Sequence, residues 1–247
     1  MIAPPVFEKM AHHVSLDKND IVLDVGAGLG FLSQFLALKC QGVLAVEADS
    51  KLVEILHDRL GNSTNVHIVE GSIFKVELPR FNKVVSIPPY QIASHLISWL
   101  FRKQFDCAVM IFQREFANRL TASIGREDYG WITVLSCYHF MVELLDDISR
   151  MMFYPQPKVD SVIVRLTPRK KLPFAVKDEA SFKRLVQSLF TERNKKARNA
   201  VLNYAKGFPG LSKEHAARFV GSLPFQHKRV RELTLEDFGV FENVLFR

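Results

Sequence analysis

The sequence predicts an α/β fold: a doubly wound, mainly parallel sheet with a small helical region after it. Three observations predict it. Short apolar runs alternate with helical patterns through the first two-thirds of the chain, a glycine-rich turn follows the first run, and the last third reads as helices. Near-continuous apolar strands suit a sheet covered on both faces. Strand and helix in alternation, with short connections, argue for the wound arrangement.

The elements follow in order. Asp20–Val25 is an apolar run that ends in glycines, and Val43–Glu47, Val66–Val69, Lys83–Ser86 and Cys107–Phe112 are further short runs. Helical patterns separate them at Phe31–Lys39, Ser50–Leu60, Ile92–Arg102 and Arg114–Ser123. Two more strands are expected at Ile132–Phe140 and Ser161–Leu166. The polar, basic stretch Thr167–Leu172 reads as a boundary, which gives domains at 1–167 and 168–247. Beyond it Ala180–Phe190, Lys195–Tyr204, Lys213–Val220 and Leu235–Leu245 read as helices. No internal repeat is visible.

Composition narrows the function classes. The chain has 247 residues, 48% hydrophobic and 24% charged, which is globular and excludes a disordered chain. No apolar run approaches the ~20 residues of a membrane span. The first residues lack a basic stretch followed by an apolar one, so no secretory signal is expected. Three widely spaced cysteines, Cys40, Cys107 and Cys137, suit a reducing cytoplasm. The eight histidines show no ligand spacing, so no metal is expected. The net charge of +7 is unevenly placed: residues 1–167 carry 16 basic and 18 acidic side chains, and residues 168–247 carry 17 and 8. A basic excess confined to the last third points to a polyanion, most simply nucleic acid. Arg193, Lys195, Lys196 and Arg198 crowd one segment of it and form the candidate phosphate-tracking face.

Two loops carry the chemistry. Asp24-Val25-Gly26-Ala27-Gly28-Leu29-Gly30 follows the first strand and opens a helix, so a ligand can approach its backbone. Glu47 ends the next strand, where a carboxylate can accept both hydroxyls of a ribose. These two features alone fit a nicotinamide dinucleotide as well as S-adenosylmethionine. Ser86-Ile87-Pro88-Pro89-Tyr90, after the fourth strand, separates them. A Pro-Pro-aromatic loop at the carboxyl end of a strand resembles that of methyltransferases acting on exocyclic amines of bases, where an extruded base stacks on the aromatic ring. A dinucleotide oxidoreductase would leave this loop and the basic last third unexplained.

Several segments, in order, carry a closer resemblance: VLDVGAGLGFLS, AVEAD, FNKVVSIPPYQIAS, EFANRL, DYGWITV, FYPQPKVDSVIVRL and FTERNKKARNAV. Together they resemble the small-subunit ribosomal RNA adenine N6-dimethyltransferases in their archaeal form, over most of the chain. The resemblance implies a seven-stranded Rossmann-like domain at 1–167 that binds S-adenosylmethionine, and a basic helical RNA-binding domain at 168–247. It implies adenines near the 3′ end of small-subunit rRNA as targets, in an immature small ribosomal subunit, with no membrane partner. Nothing demands a dimer, so a monomer in the cytoplasm is expected.

The resemblance also implies roles. Gly26 and Gly28 match the cofactor loop and Glu47 the ribose ligand. Pro88, Pro89 and Tyr90 belong to the catalytic loop, and Phe153 would stack on the extruded adenine from the opposite side. Three positions depart from the family. Ser72 stands where an Asp usually binds the cofactor's adenine amine; a serine accepts a hydrogen bond without charge assistance. Ile87 stands where the family has its catalytic Asn, beside both cofactor and target. Met1 falls about where the Leu of an upstream lid segment would be. The Pro88 carbonyl remains as an acceptor, and Ser86 would serve only if the loop shifted by one residue. Ile87 and Ser72 also open an alternative: an rRNA-binding small-subunit assembly factor whose methyltransferase site is weak.

Overall fold

The computed structural model describes residues 4–205, 220–221 and 224–245. Met1 lies outside them, as does the helix expected at Lys213–Val220 apart from Val220. The chain divides into two compact units, 1–118 with 140–168, and 119–139 with 169–247. The sequence counted 119–139 with the first domain; in the structure it clusters with the second unit.

The first unit is built on a seven-stranded sheet. Its strands are β1 (Ile21–Val25), β2 (Gly42–Glu47), β3 (Val66–Glu70), β4 (Lys83–Ser86), β5 (Cys107–Gln113), β6 (Phe140–Ile148) and β7 (Ser161–Pro168). Their order is β3-β2-β1-β4-β5-β7-β6. β1 to β5 pair in parallel, and β7 runs antiparallel between β5 and β6. The central strands are buried along nearly their whole length, as their unbroken apolar runs require. The winding reverses between β1 and β4. Ligands of open α/β sheets collect at that switch point, outside the carboxyl ends of the strands.

Helices cover the sheet: α1 (Pro4–His13), α2 (Phe31–Ala37), α3 (Ser50–Leu60) and α4 (Ala93–Leu100), with α5 (Arg114–Leu120) following β5. α1 buries Val6, Phe7, Met10 and Ala11, two i,i+4 pairs on one face. Val6, Phe7 and Met10 pack into a core with Val22, Leu36, Val85, Val109 and Ile163. The far end of α1 is pinned to β6: the Asp146 carboxylate meets Lys9 Nζ at 2.6 Å and His13 Nε2 at 2.5 Å.

The second unit is helical: α6 (Trp131–His139), α7 (Glu179–Thr191), α8 (Ala197–Ala205) and α9 (Leu235–Leu245). Its core stacks aromatic rings, with Tyr138 and Phe182 centroids 5.0 Å apart and Phe190 and Phe238 5.5 Å apart. Asp178 caps α7, accepting from the Ala180 and Ser181 N–H groups.

α6 corrects the sequence reading, which expected a strand at Ile132–Phe140. The segment is apolar and rich in β-branched residues because the helix is buried nearly all round, including Ile132, Thr133, Val134, Leu135 and Tyr138. Periodicity cannot separate such a helix from a buried strand. The strand in this region is β6, which the sequence reading did not assign. It is the sheet's last strand, half-exposed and interrupted by a register shift between Leu144 and Asp147.

Candidate functional site

The carboxyl ends of β1, β2, β3 and β4 release the loops that build the site. After β1 the chain turns sharply, with Gly26 at φ 73° and Gly28 at φ 58°, a region L side chains rarely enter. The turn is pinned to β2: the Gly26 and Ala27 N–H groups donate to the Val46 carbonyl at 2.8 and 3.1 Å. A Cβ at Gly26 would lie 2.6 Å from Pro89 Cδ. The glycine loop and the Pro-Pro loop therefore touch, and only a hydrogen atom fits between them.

Glu47 organises the turn. One carboxylate oxygen accepts from the Gly28 N–H at 2.8 Å. The other accepts from Ala48 and Asp49 N–H groups at 2.8 and 3.0 Å. Glu47 is only 8% exposed, so its oxygens are satisfied by backbone donors rather than by water. It faces a cavity of about 120 Å³ whose wall includes Gly71, Ser72, Ile73, Phe74, Pro89 and Ile92. The lining is mainly apolar, with Glu47 and Ser72 as its polar side chains. Ser72 Oγ receives the Phe74 N–H at 3.4 Å.

A second cavity, about 170 Å³, opens on the other side of Gly26. The glycine turn from Gly26 to Leu29 lines it, and Phe7, Asp24, Phe31, Leu32, Ile87 and Phe153 complete the lining. Ile87 and Phe153, 66 positions apart in sequence, thus share one cavity. Asp24 is buried, and burial pushes its carboxyl up to about 7 despite the hydrogen bond from Ser33 Oγ at 2.7 Å. A cation brought to Asp24 would restore its charge. Asp24 and Phe7 are site residues to which the sequence reading gave no role. Asp24 was visible as the acid opening the glycine motif; for Phe7 no signal existed before α1 was placed.

Ser86 is fully buried at the end of β4, and its hydroxyl has no hydrogen-bond partner among the described residues. Tyr90 sits in the short helix after Pro89, with its hydroxyl 2.9 Å from Ser161 Oγ.

The basic segment of the second unit is a backbone ladder. Lys196 bridges Arg229, the Val230 N–H donates to the Lys195 carbonyl at 3.1 Å, and the Arg231 N–H to the Arg193 carbonyl at 3.1 Å. Arg193 is committed inside the unit: its guanidinium donates to the carbonyls of Glu127 at 2.5 Å and Arg126 at 2.9 Å. Lys195 pairs with Glu192 at 2.7 Å. Lys196 and Arg198 are exposed, and among the described residues neither faces a carboxylate within ion-pair distance. Among the described residues no cluster of His, Cys, Asp and Glu could hold a metal ion, and no helix is long and apolar enough to cross a membrane.

With this geometry in place, comparison with known proteins is direct. A profile described as "Ribosomal RNA adenine dimethylase" matches residues 1–221. A "Probable ribosomal RNA small subunit methyltransferase A" of Methanosarcina mazei is 37% identical over 241 residues, 97% of this chain and 88% of that one. Its namesake in Methanosarcina acetivorans is 39% identical over 233 residues, 94% of this chain and 85% of that one. A crystal structure of a dimethyladenosine transferase from Plasmodium falciparum superposes with a TM-score of 0.81 at 28% identity, covering 97% of this chain and 94% of that one. The 23S rRNA methyltransferase ErmE shares the fold, with a TM-score of 0.70 at 24% identity over 99% of this chain and 98% of that one.

Proposed function

The chain belongs to the ribosomal RNA adenine dimethylase family, and from that premise we propose how its own residues carry the reaction. It is an rRNA adenine methyltransferase that uses S-adenosylmethionine. The finer reading is N6-methylation of adenines near the 3′ end of small-subunit rRNA, on an immature small subunit, by a monomer in the cytoplasm. The first domain, 1–167, serves cofactor and chemistry; the basic region, 168–247, serves RNA. One observation carries the reading. A glycine turn braced by a buried carboxylate meets a Pro-Pro-Tyr loop at Gly26, between two cavities at the switch point of the sheet.

The residues present fit the cofactor. The apolar side chains of Ile73, Phe74 and Ile92 suit a purine, and Ser72 in the same lining offers it a hydroxyl. Glu47, already held rigid by three N–H groups, keeps lone pairs for ribose hydroxyls. Gly26 and Gly28 keep the wall free of side chains, and Asp24 offers a carboxylate to an ammonium group. When bound, S-adenosylmethionine supplies an electrophilic methyl group.

The target amine is a poor nucleophile because its lone pair is delocalised into the adenine ring. Acceptors on its hydrogens help the nitrogen rehybridise as its new bond forms. The Pro88 carbonyl is the acceptor that the loop retains. Ile87 offers hydrocarbon where the family has an Asn. Phe153 and Tyr90 supply the rings that hold the extruded base. Ile87 is also what favours a second reading, a binding and assembly role with slow methyl transfer.

The test is transfer of labelled methyl from S-adenosylmethionine to immature small subunits, with the product mapped to adenine N6. In parallel, Glu47→Ala should weaken cofactor binding by roughly 1.5–3 kcal/mol, because the ribose loses a charged acceptor. Calorimetry that finds cofactor affinity unchanged in this variant would remove Glu47 from the site.

A further inference from the structure

The loop between β6 and β7 turns apolar side chains outward. Met151 is 80% exposed and Tyr154 79% exposed. Contiguous exposed apolar groups mark a contact surface. Its start and end are braced: the Asp160 carboxylate accepts from the Arg150 N–H at 2.8 Å, and the Asp160 carbonyl accepts from the Arg114 N–H at 3.1 Å. The Arg150 guanidinium donates to the Lys158 carbonyl at 3.3 Å, and the Phe153 N–H to the Arg150 carbonyl at 3.2 Å. The loop therefore holds two neighbouring rings in different places. Phe153 lines the cavity beside Ile87, whereas Tyr154 is not part of that lining and is largely exposed. Arg150 and Lys158 are exposed on the same loop.

We propose that Tyr154 is a stacking platform for the nucleotide next to the extruded adenine, with Arg150 and Lys158 on the adjoining phosphates. The inference rests on the proposed seating of the target adenine against Phe153. Extruding a base leaves its neighbour without a stacking partner. The extruded base and its neighbour are joined by one phosphodiester, as Phe153 and Tyr154 are joined by one peptide bond. An exposed phenol ring one residue after Phe153 offers that stack. Aromatic rings interleaved with cations are the pattern that binds single-stranded nucleic acid whatever its sequence. The extruded adenine reacts while its neighbour rests on Tyr154.

The test uses an rRNA stem-loop with two adjacent adenines in its loop, and the same RNA made abasic at either one. On the intact RNA, Tyr154→Ala should raise KM roughly 5- to 100-fold with a smaller change in kcat, and Tyr154→Phe should restore it. On RNA abasic beside the reacting adenine, wild type should show the same raised KM, and Tyr154→Ala should cost nothing more. Cofactor affinity should be unchanged in both variants. Methyl transfer by Tyr154→Ala with the wild-type KM would overturn the platform alone, and so would an equal penalty on intact and abasic RNA, as expected for a protein-contact or structural tyrosine. Binding of intact RNA without methyl transfer to either adenine would overturn the seating of the target as well.

Discussion

On the proposed reading, Ile87 is the side chain that sets the rate. It lines the cavity that also holds Phe153, and it cannot accept a hydrogen bond. An acceptor made only in the transition state is typically worth ~2.7–4 kcal/mol, about 100- to 1000-fold in rate. Methyl transfer should therefore be slow rather than absent. Ile87→Asn should raise kcat by a factor of that order, with cofactor affinity little changed. Equal turnover in the two proteins would mean that Ser86 or another group already supplies the acceptor. Asp24 makes a second prediction at this scale. Its carboxyl is raised from 3.8 to about 7 by burial, so the native state holds a proton that the unfolded chain has already released. Stability is then full below about pH 4, falls as pH rises toward 7, and stays lowered above it. The loss is on the order of 4 kcal/mol. Asp24→Asn keeps an acceptor for Ser33 and removes the charge. Its pH–stability profile should lose this slope, so that it gains on wild type at pH 8 relative to pH 4. Parallel denaturation profiles from pH 4 to 8 would refute the assignment.

Among the elements, the glycine turn and the Pro-Pro loop act as one piece. Gly26 combines φ 73° with a Cβ position 2.6 Å from Pro89 Cδ, and a proline ring cannot swing aside. Gly26→Ala should cost about 1–3 kcal/mol of stability from backbone strain alone, and displace the loop that carries Ile87. Thermal melts and cofactor calorimetry should both report a loss. Gly28→Ala meets no atom closer than 3.9 Å, so it should strain the turn without moving Pro89. This part of the site was legible in the sequence because glycines, prolines and terminal carboxylates announce their own geometry. The five parallel strands were legible because burial on both faces leaves unbroken apolar runs. α6 was not, since a helix buried nearly all round writes the same pattern as a strand. β6 was not, since a half-exposed last strand with a register shift carries no clean alternation. Nor could the sequence reveal that Arg193 holds carbonyls of Arg126 and Glu127, residues 66 to 67 positions away.

For the whole molecule, charge follows the structural division. The segment 119–139 brings two basic and two acidic residues to the second unit, so its net charge remains +9, against −2 for the first. The same segment shows that these cations are not equivalent. Arg193 ties 126–127 to the ladder and Lys195 is paired with Glu192, whereas Lys196 and Arg198 stand exposed. Phosphate contacts release counterions, and each adds about 0.7–0.9 to the slope of log affinity against log salt. Affinity for rRNA should therefore fall steeply with salt. Replacing Lys196 and Arg198 together with Gln should flatten the slope by about 1.5 and leave the melting temperature nearly unchanged. Lys195→Gln should flatten it less, because Glu192 already offsets that charge. Arg193→Gln should do the reverse, lowering the melting temperature by releasing two carbonyls while moving the slope little. Salt titrations of RNA binding, run beside thermal melts of the three variants, separate phosphate-facing cations from structural ones. A slope untouched by the Lys196 and Arg198 changes, or flattened most by Arg193→Gln, would move the RNA surface elsewhere on the chain.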